Sequence, residues 1–321
     1  MNISEAAPDL DQALRQAWNR RQSLHDDPDI DVYRIFHGFT EGFCGLDIEK
    51  FGSVARVVWK NEEELESDVL RGTLLELGDF DTIGVRRARR WNNTPIDIPV
   101  EFFHGEGTPA EIETVVQEYG LRFRVQPFSA QNSGLFLDAR PARQWIRQNS
   151  RARRVLNLFA YTGSLGVAAA AGGASAVTHV DGKHNALLRA QVNHELNCLP
   201  IDDRCLVRGN IYTHLPRAIK NGQRFDAVIL DPPPQLPRIK GRRPEGQDYA
   251  KLARLATELL DEGGWLLCFF SRYDRSLDQY EEEVALASDG KLRPGWRGTS
   301  GDDFPSENPQ ENLRLTTWIK E

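Results

Sequence analysis

The 321-residue chain contains no run of about 18 consecutive apolar residues, and its opening MNISEAAPDLDQAL lacks the basic start and apolar stretch of a secretory signal. Both absences argue against membrane insertion and export and for a cytoplasmic protein. Its four cysteines (Cys44, Cys198, Cys205 and Cys268) form no C-x-x-C pair and have no histidine nearby at ligand spacing. That pattern disfavours a disulfide framework or a structural zinc, and no metal site is expected. No internal repeat or low-complexity tract interrupts the chain. What remains is an ordinary globular composition, 40 % apolar and 27 % charged, with length enough for two domains.

The net charge of −7 is unevenly placed. Residues 1–81 hold eight Lys/Arg against 18 Asp/Glu, whereas the rest of the chain carries a small positive excess. Three basic clusters stand out there: Arg86, Arg87, Arg89 and Arg90; Arg140, Arg143, Arg147, Arg151, Arg153 and Arg154; and Arg238, Lys240, Arg242 and Arg243. A solvated arginine face is the plainer account of any one cluster. Three of them near expected loops favour nucleic acid, bound through local patches despite the acidic whole.

The opening segment, 1–30, reads as one charged helix over 8–25, stopped by Asp26-Asp27-Pro28-Asp29. Residues 31–130 read as a small α+β domain. Its strand-like runs are VYRIFH, VARVVWK and TIGVRR, the acidic stretch 62–66 opens a helix, and a second helix covers GTPAEIETVVQEYG with Pro109 near its start and Gly120 at its end. The strand LRFRVQPF follows. In the remaining domain, 131–321, the grammar becomes regular after 151. The apolar runs RVLNLFAY, AVTHVD, RCLVRGN, FDAVILD and GWLLCFF alternate with helix-like segments. Continuous apolar strands between helices predict an α/β, doubly wound, mostly parallel sheet covered on both faces. Such sheets bind ligands beyond the carboxyl ends of their strands, where strand order reverses.

The strand ends therefore matter most. The first runs into Asn157-Leu158-Phe159-Ala160-Tyr161-Thr162-Gly163-Ser164, where Gly163 permits positive φ or close approach of a ligand. Neither G-x-G-x-x-G nor a Gly-Lys-Ser/Thr phosphate cradle is present, although a plain strand-to-helix turn would look the same. The second strand ends at Asp181-Gly182, 18 residues beyond Gly163. A carboxylate there can accept hydrogen bonds from both ribose hydroxyls of a nucleoside, or simply cap a helix. A ribose-binding acid without a phosphate cradle suits S-adenosylmethionine. Asn210, after the third strand, offers an amide to an adenine edge or serves as a turn residue. The fourth strand is halted by Asp231-Pro232-Pro233-Pro234, a rigid rim able to position a planar base.

Taken in order, GLFLDAR, VLNLFAYTGS, Gly172-Gly173-Ala174, Val180-Asp181, Asn193 and Asn197, FDAVILDPP and the Gly-Gly before the fifth strand resemble class I S-adenosylmethionine-dependent methyltransferases. They are most similar to ribosomal RNA large-subunit methyltransferases I and K/L. The resemblance spans about residues 30–321, with YRIFHGFTEGFCGLDIEKFG matching the β-rich segment before the catalytic domain and FPSENPQENLRLTTWIKE the closing strand pair. It implies S-adenosylmethionine as cofactor, RNA as substrate and a role in ribosomal RNA processing. The methionine part would lie on Asn157, Phe159, Ala160, Tyr161 and Gly163, the ribose on Asp181 and Gly182, and the adenine on Asn210. Asp231 would face the cofactor and, with Pro232 and Pro233, position the target base, and Arg140 would meet the cofactor carboxylate or an RNA phosphate. A homodimer is a further expectation.

Two departures bear on the chemistry. Members that make 5-methylcytosine carry a cysteine near the end of the fifth strand, where this chain has Ser271, with Cys268 three residues earlier inside the strand. Pro234-Gln235 replaces the aromatic of the amine-methylating Asp/Asn-Pro-Pro-Tyr/Phe form. The first favours in-line transfer to a base nitrogen over alkylation of carbon through a covalent adduct, and the second argues against an exocyclic amine as that nitrogen. Two rivals stay open: a small-molecule methyltransferase, and an RNA-binding homologue that has lost catalysis. Trp91 is a candidate base-stacking residue or, more plainly, a buried one.

Overall fold

The computed structural model describes residues 9–87, 90–91, 94–95, 100–129, 132–233, 249–271, 275–308 and 312–321, with the backbone alone at 90–91 and 94–95. Two compact units emerge, one of Met1–Leu137 with Gly301–Glu307 and one of Asp138–Ser300 with Asn308–Glu321. The side chains of Arg89, Arg90 and Trp91, the segment from Pro234-Gln235 through Arg243, and therefore one whole basic cluster lie outside the described residues.

The first unit opens with α1 (Leu10–Arg20) and the single turn α2 (Gln22–His25), in place of one continuous helix. Arg21, at the break, is buried and holds Glu41 through two hydrogen bonds of 2.8 and 3.0 Å. Then come β1 (Val32–His37), β2 (Leu46–Phe51), β3 (Val54–Trp59), α3 (Ser67–Leu77), β4 (Thr82–Arg87), the short pair β5 (Arg90–Trp91) and β6 (Thr94–Pro95), and β7 (Val100–His104). A five-stranded sheet forms in the order β1-β2-β3-β4-β7, its only parallel neighbours being β3 and β4, which α3 connects. Leu10, Leu14, Leu70 and Leu74 of the helices pack with Ile35, Ile48, Val57 and Ile83 of the sheet in one apolar core. The acidic stretch 62–66 stands before α3 rather than inside it.

The expected helix over 107–120 is not formed. Its second half is β8 (Thr114–Glu118), paired antiparallel with β9 (Leu121–Val125) across a two-residue turn. Tyr119 and Gly120 have φ of 49° and 75°, the left-handed pair that a tight hairpin demands. Thr114, Val115 and Val116 favour a pleated strand, and this local preference outweighs the helix-like punctuation of Pro109 and Gly120. The returning segment 301–307 belongs to this unit: the Asp303 carbonyl accepts from Arg21 (3.0 Å), and its carboxylate accepts from the Arg34 backbone (2.9 Å).

The second unit contains α4 (Arg140–Asn149), β10 (Arg154–Leu158), α5 (Ser164–Ala171), β11 (Ala176–Asp181), α6 (His184–Leu196), β12 (Leu206–Arg208), α7 (Ile211–Lys220), β13 (Phe225–Leu230), α8 (Tyr249–Leu259), β14 (Leu260–Phe270), α9 (Leu277–Ala287), β15 (Leu292–Thr299) and β16 (Arg314–Lys320). Its seven strands run β12-β11-β10-β13-β14-β16-β15. The first five are mutually parallel, β16 is antiparallel to β14, and β15 is antiparallel to β16, which is the doubly wound α/β sheet expected. Strand order reverses between β10 and β13. That places the switch point beside the 159–163 turn and Asp231, because Leu158 pairs with both Leu230 and Val180.

The basic cluster at 140–154 is divided by this fold rather than gathered on a loop. Arg140 and Arg143 lie on α4 and are 3 % and 1 % exposed. Arg154 starts β10, about 13 Å of strand from its carboxyl end, and binds Asp226 at 3.0 and 3.1 Å and Asp261 at 2.5 Å. Arg153 donates to the Asp226 carbonyl. Arg147 and Arg151 are exposed.

Candidate active site

Leaving β10, the backbone takes left-handed values at Phe159 (φ 56°), Tyr161 (φ 48°) and Gly163 (φ 78°). Such values are uncommon outside glycine and persist only when surrounding bonds enforce them. Those bonds are present. Ala160 N–H donates to the Val180 carbonyl at 3.1 Å, Gly163 N–H to the Ala160 carbonyl at 2.8 Å, and Asn193 Nδ2 to the Thr162 carbonyl at 2.9 Å. Gly163 must be glycine for a second reason, since a methyl group there would approach Ala190 Cβ to 2.6 Å. Phe159 is half-buried and packs against the apolar core, while Ala160 is buried.

Asp181 ends β11 beside this turn and is half-buried. Its Oδ2 accepts from Tyr161 N–H and its Oδ1 from Lys183 N–H, both at 2.8 Å. The carboxylate is thus oriented by backbone on each oxygen and keeps a lone pair on each for a ligand. Gly182 is exposed, with open space where a side chain would be. Asn210 is exposed and caps α7, its Oδ1 accepting from Tyr212 N–H at 2.9 Å. Asn157 is set apart from these residues: it is fully buried inside β10, with its amide 3.2 Å from His179 Nδ1.

Across the switch point, Asp231 follows β13 and is half-buried, Pro232 is buried and Pro233 exposed. Burial, and next the negative charge of Asp138, push the Asp231 carboxyl up to about 7. Tyr249, the first residue of α8, stands by the same acid, and its phenol is raised by burial and by the neighbouring Cys268 thiol and Asp231. Cys268 itself is fully buried in β14, level with Leu230, and burial pushes its thiol up to about 12. Ser271 is half-buried just past the end of β14. Arg140 is buried at the first turn of α4, two residues after Asp138.

The structure therefore gathers Phe159, Ala160, Tyr161, Gly163, Asp181 and Asp231 at one rim and leaves Asn157 beneath it. Asp138, Tyr249, His179 and His194 were given no role by sequence reasoning. Their only sequence signals were a polar residue inside an apolar strand or a place next to a motif. Among the described residues, no group of His, Cys, Asp and Glu could hold a metal ion, and no helix is long and apolar enough to cross a membrane.

A family model described as S-adenosylmethionine-dependent methyltransferase matches residues 34–314. The chain is 30 % identical over 280 residues to a ribosomal RNA large subunit methyltransferase I of Escherichia coli O127:H6, covering 86 % of this chain and 69 % of that protein. A solved structure from Streptococcus mutans, assigned as a SAM-dependent methyltransferase, superposes with a TM-score of 0.82 at 22 % identity, covering 99 % of this chain and 83 % of the other. A structure of a protein assigned as a methyltransferase, complexed with SAH, gives the same figures.

Proposed function

Because this chain belongs to the S-adenosylmethionine-dependent methyltransferase family, we propose that it methylates a base of RNA, in large-subunit ribosomal RNA, at a nitrogen atom. The observation that carries this reading is the pairing, across one switch point, of a backbone-oriented carboxylate at Asp181 with an uncompensated one at Asp231. The named relative acts on ribosomal RNA, which supports that substrate and, with it, a cytoplasmic location. The domain division 1–30, 31–130 and 131–321 is proposed in the same terms, with 31–130 serving RNA.

The residues present fit the methyl donor. The left-handed turn brings backbone close to a ligand without a phosphate cradle, and the Asp181 oxygens retain acceptor capacity for two ribose hydroxyls. When bound, S-adenosylmethionine supplies a methyl group already activated on a positively charged sulfur. Asp181 holds the ribose, Asn210 meets the adenine, and the backbone of 159–163 seats the methionine part, with Arg140 near its carboxylate. Asp231 and the Pro232-Pro233 rim orient the target base and exclude water from it. Near its ionisation threshold, Asp231 can donate to a base oxygen as the acid or accept from a base N–H as the carboxylate.

Nitrogen is favoured over carbon because a covalent route needs a reachable thiolate. The Cys268 thiol is sealed in the sheet and held protonated, and among the described residues no histidine or carboxylate hydrogen-bonds the Ser271 hydroxyl. The test is incubation with methyl-labelled donor and ribosomal RNA from a strain lacking the gene, followed by mapping of the modified nucleotide. Label on a base nitrogen is expected. Label on a pyrimidine carbon, or on a metabolite with none on RNA, would overturn the proposal. Calorimetric titration of an Asp181→Ala variant with the donor is expected to show at least about tenfold weaker binding, corresponding to about 1.4 kcal/mol.

A further inference from the structure

Beneath the 159–163 turn lies a chain of polar side chains with no contact to solvent. Asn157, His179 and His194 are 0 %, 0 % and 1 % exposed. Asn157 Nδ2 is 3.2 Å from His179 Nδ1, and His179 Nε2 is 3.0 Å from His194 Nε2, with the two rings at 87° to each other. The three residues come from β10, β11 and α6, the elements that frame the turn.

The His179 ring lies directly under the turn and the helix it enters. A methyl group at Gly166 would come within 2.2 Å of His179 Cε1, and one at Gly163 within 3.1 Å. On α6, His194 reaches His179 while its neighbour Asn193 reaches the Thr162 carbonyl. The turn is thus fixed from below by one ring and from the side by one amide, both referred to α6.

We infer that Asn157, His179 and His194 form an uncharged hydrogen-bond relay whose task is to position the 159–163 turn for the methyl donor; the inference rests on the reading of that turn given above. Burial holds His179 at about 3, with His194 a second cause, and His194 at about 4, so both rings are neutral at pH 7. One proton order satisfies the chain. The Asn157 amide donates to His179 Nδ1, His179 Nε2–H donates to His194 Nε2, and His194 carries its proton on Nδ1, on the side of the Leu199 backbone. The reverse order would turn a lone pair of His194 toward that backbone acceptor. Asn157 Oδ1 has no hydrogen-bond partner among the described residues, and His194 Nδ1 lies near the Leu199 backbone without reaching full hydrogen-bond geometry. A buried polar chain with unpaired ends is less favourable than apolar filling of the same volume. Local rules are broken in this way where a site is being held in place.

Long-range 1H–15N NMR of the wild-type histidines is expected to show His179 as the Nε2–H tautomer and His194 as the Nδ1–H tautomer, both neutral at pH 7. Asn157→Leu and His194→Phe, checked for native-like melting, are expected to raise Kd and KM for S-adenosylmethionine about tenfold while kcat at saturating donor stays within about twofold. His194→Gln, whose amide oxygen accepts where Nε2 did, restores most of the affinity. Should both variants fail to fold, the near-isosteric Asn157→Asp decides. Once ionised, its carboxylate can only accept from His179 Nδ1, inverting the proton order, and a tautomer change with weakened donor binding is expected above the pH at which the carboxyl ionises. Folded variants with wild-type affinity, or the opposite tautomers in the wild type, overturn the relay. Failure of the wild type to bind donor, or an Asp181→Ala variant that binds like wild type, overturns the reading of the turn instead.

Discussion

Ionising Asp231 at neutral pH works against folding. Its carboxyl titrates at about 7 in the folded chain against an ordinary 3.8, so between these values the native state keeps a proton that the unfolded chain has released. Stability then falls as pH rises from about 4 to about 7 and is level above. Replacing the acid by its neutral isostere removes that penalty. Asp231→Asn is expected to be more stable than the wild type at pH 8 by about 1–3 kcal/mol and indistinguishable near pH 4, since the wild-type acid is protonated there too. Methyl transfer by the same variant should fall at least about a hundredfold, as for loss of a group at the reacting base. Urea unfolding at both pH values checks the first claim, and a gain equal at pH 4 and pH 8 would refute it. At Asp181 two backbone N–H groups meet the carboxylate oxygens, so the side chain is oriented before any ligand arrives.

At the scale of elements, the β8–β9 hairpin isolates a backbone effect. A side chain at Gly120 would touch nothing, yet the residue sits at φ 75°. Gly120→Val should therefore cost about 1–2 kcal/mol through the left-handed backbone alone, and Gly120→Asn well under half of that. Equal melting temperatures for the two variants would contradict the turn geometry. In the sequence this hairpin resembles a helix because Pro109 and Gly120 imitate helix punctuation, while the deciding bond pattern pairs residues that only the fold brings opposite. The alternating strands and helices after 151 were legible for the converse reason: each buried strand is a continuous apolar run that needs no partner to be recognised. β2 escaped notice because Asp47 and Glu49 break its apolar run, and their partners Arg34, Arg56 and Lys60 lie on neighbouring strands or just beyond. Of the site, Gly163, Asp181 and Asp231 were legible as strand-end residues. The relay under them was not, because a histidine inside AVTHVD says nothing about which ring it faces.

For the molecule as a whole, the division of charge sets what RNA binding must look like. The acidic excess lies in residues 1–81, and several arginines of α4 and the start of β10 are withdrawn from RNA: Arg140 and Arg143 are buried, and Arg154 is paired with Asp226 and Asp261. Phosphate contacts then involve a few local cations, with Arg87, Arg147 and Arg151 the members of the basic clusters to test. A footprint of about three to four phosphates predicts that RNA affinity falls between about twentyfold and 150-fold from 50 to 200 mM salt, each contact contributing a slope of about 0.7–0.9. Arg147→Ala or Arg151→Ala should lower that slope by about one contact if the residue touches RNA and leave it unchanged otherwise. Arg154→Ala should leave it unchanged in either case and instead reduce stability, because it strips Asp226 and Asp261 of their shared cation. Affinity measured across the salt range for these variants decides the matter. A wild-type slope near zero would mean that phosphates take no part, and RNA would then have to be held by base contacts alone.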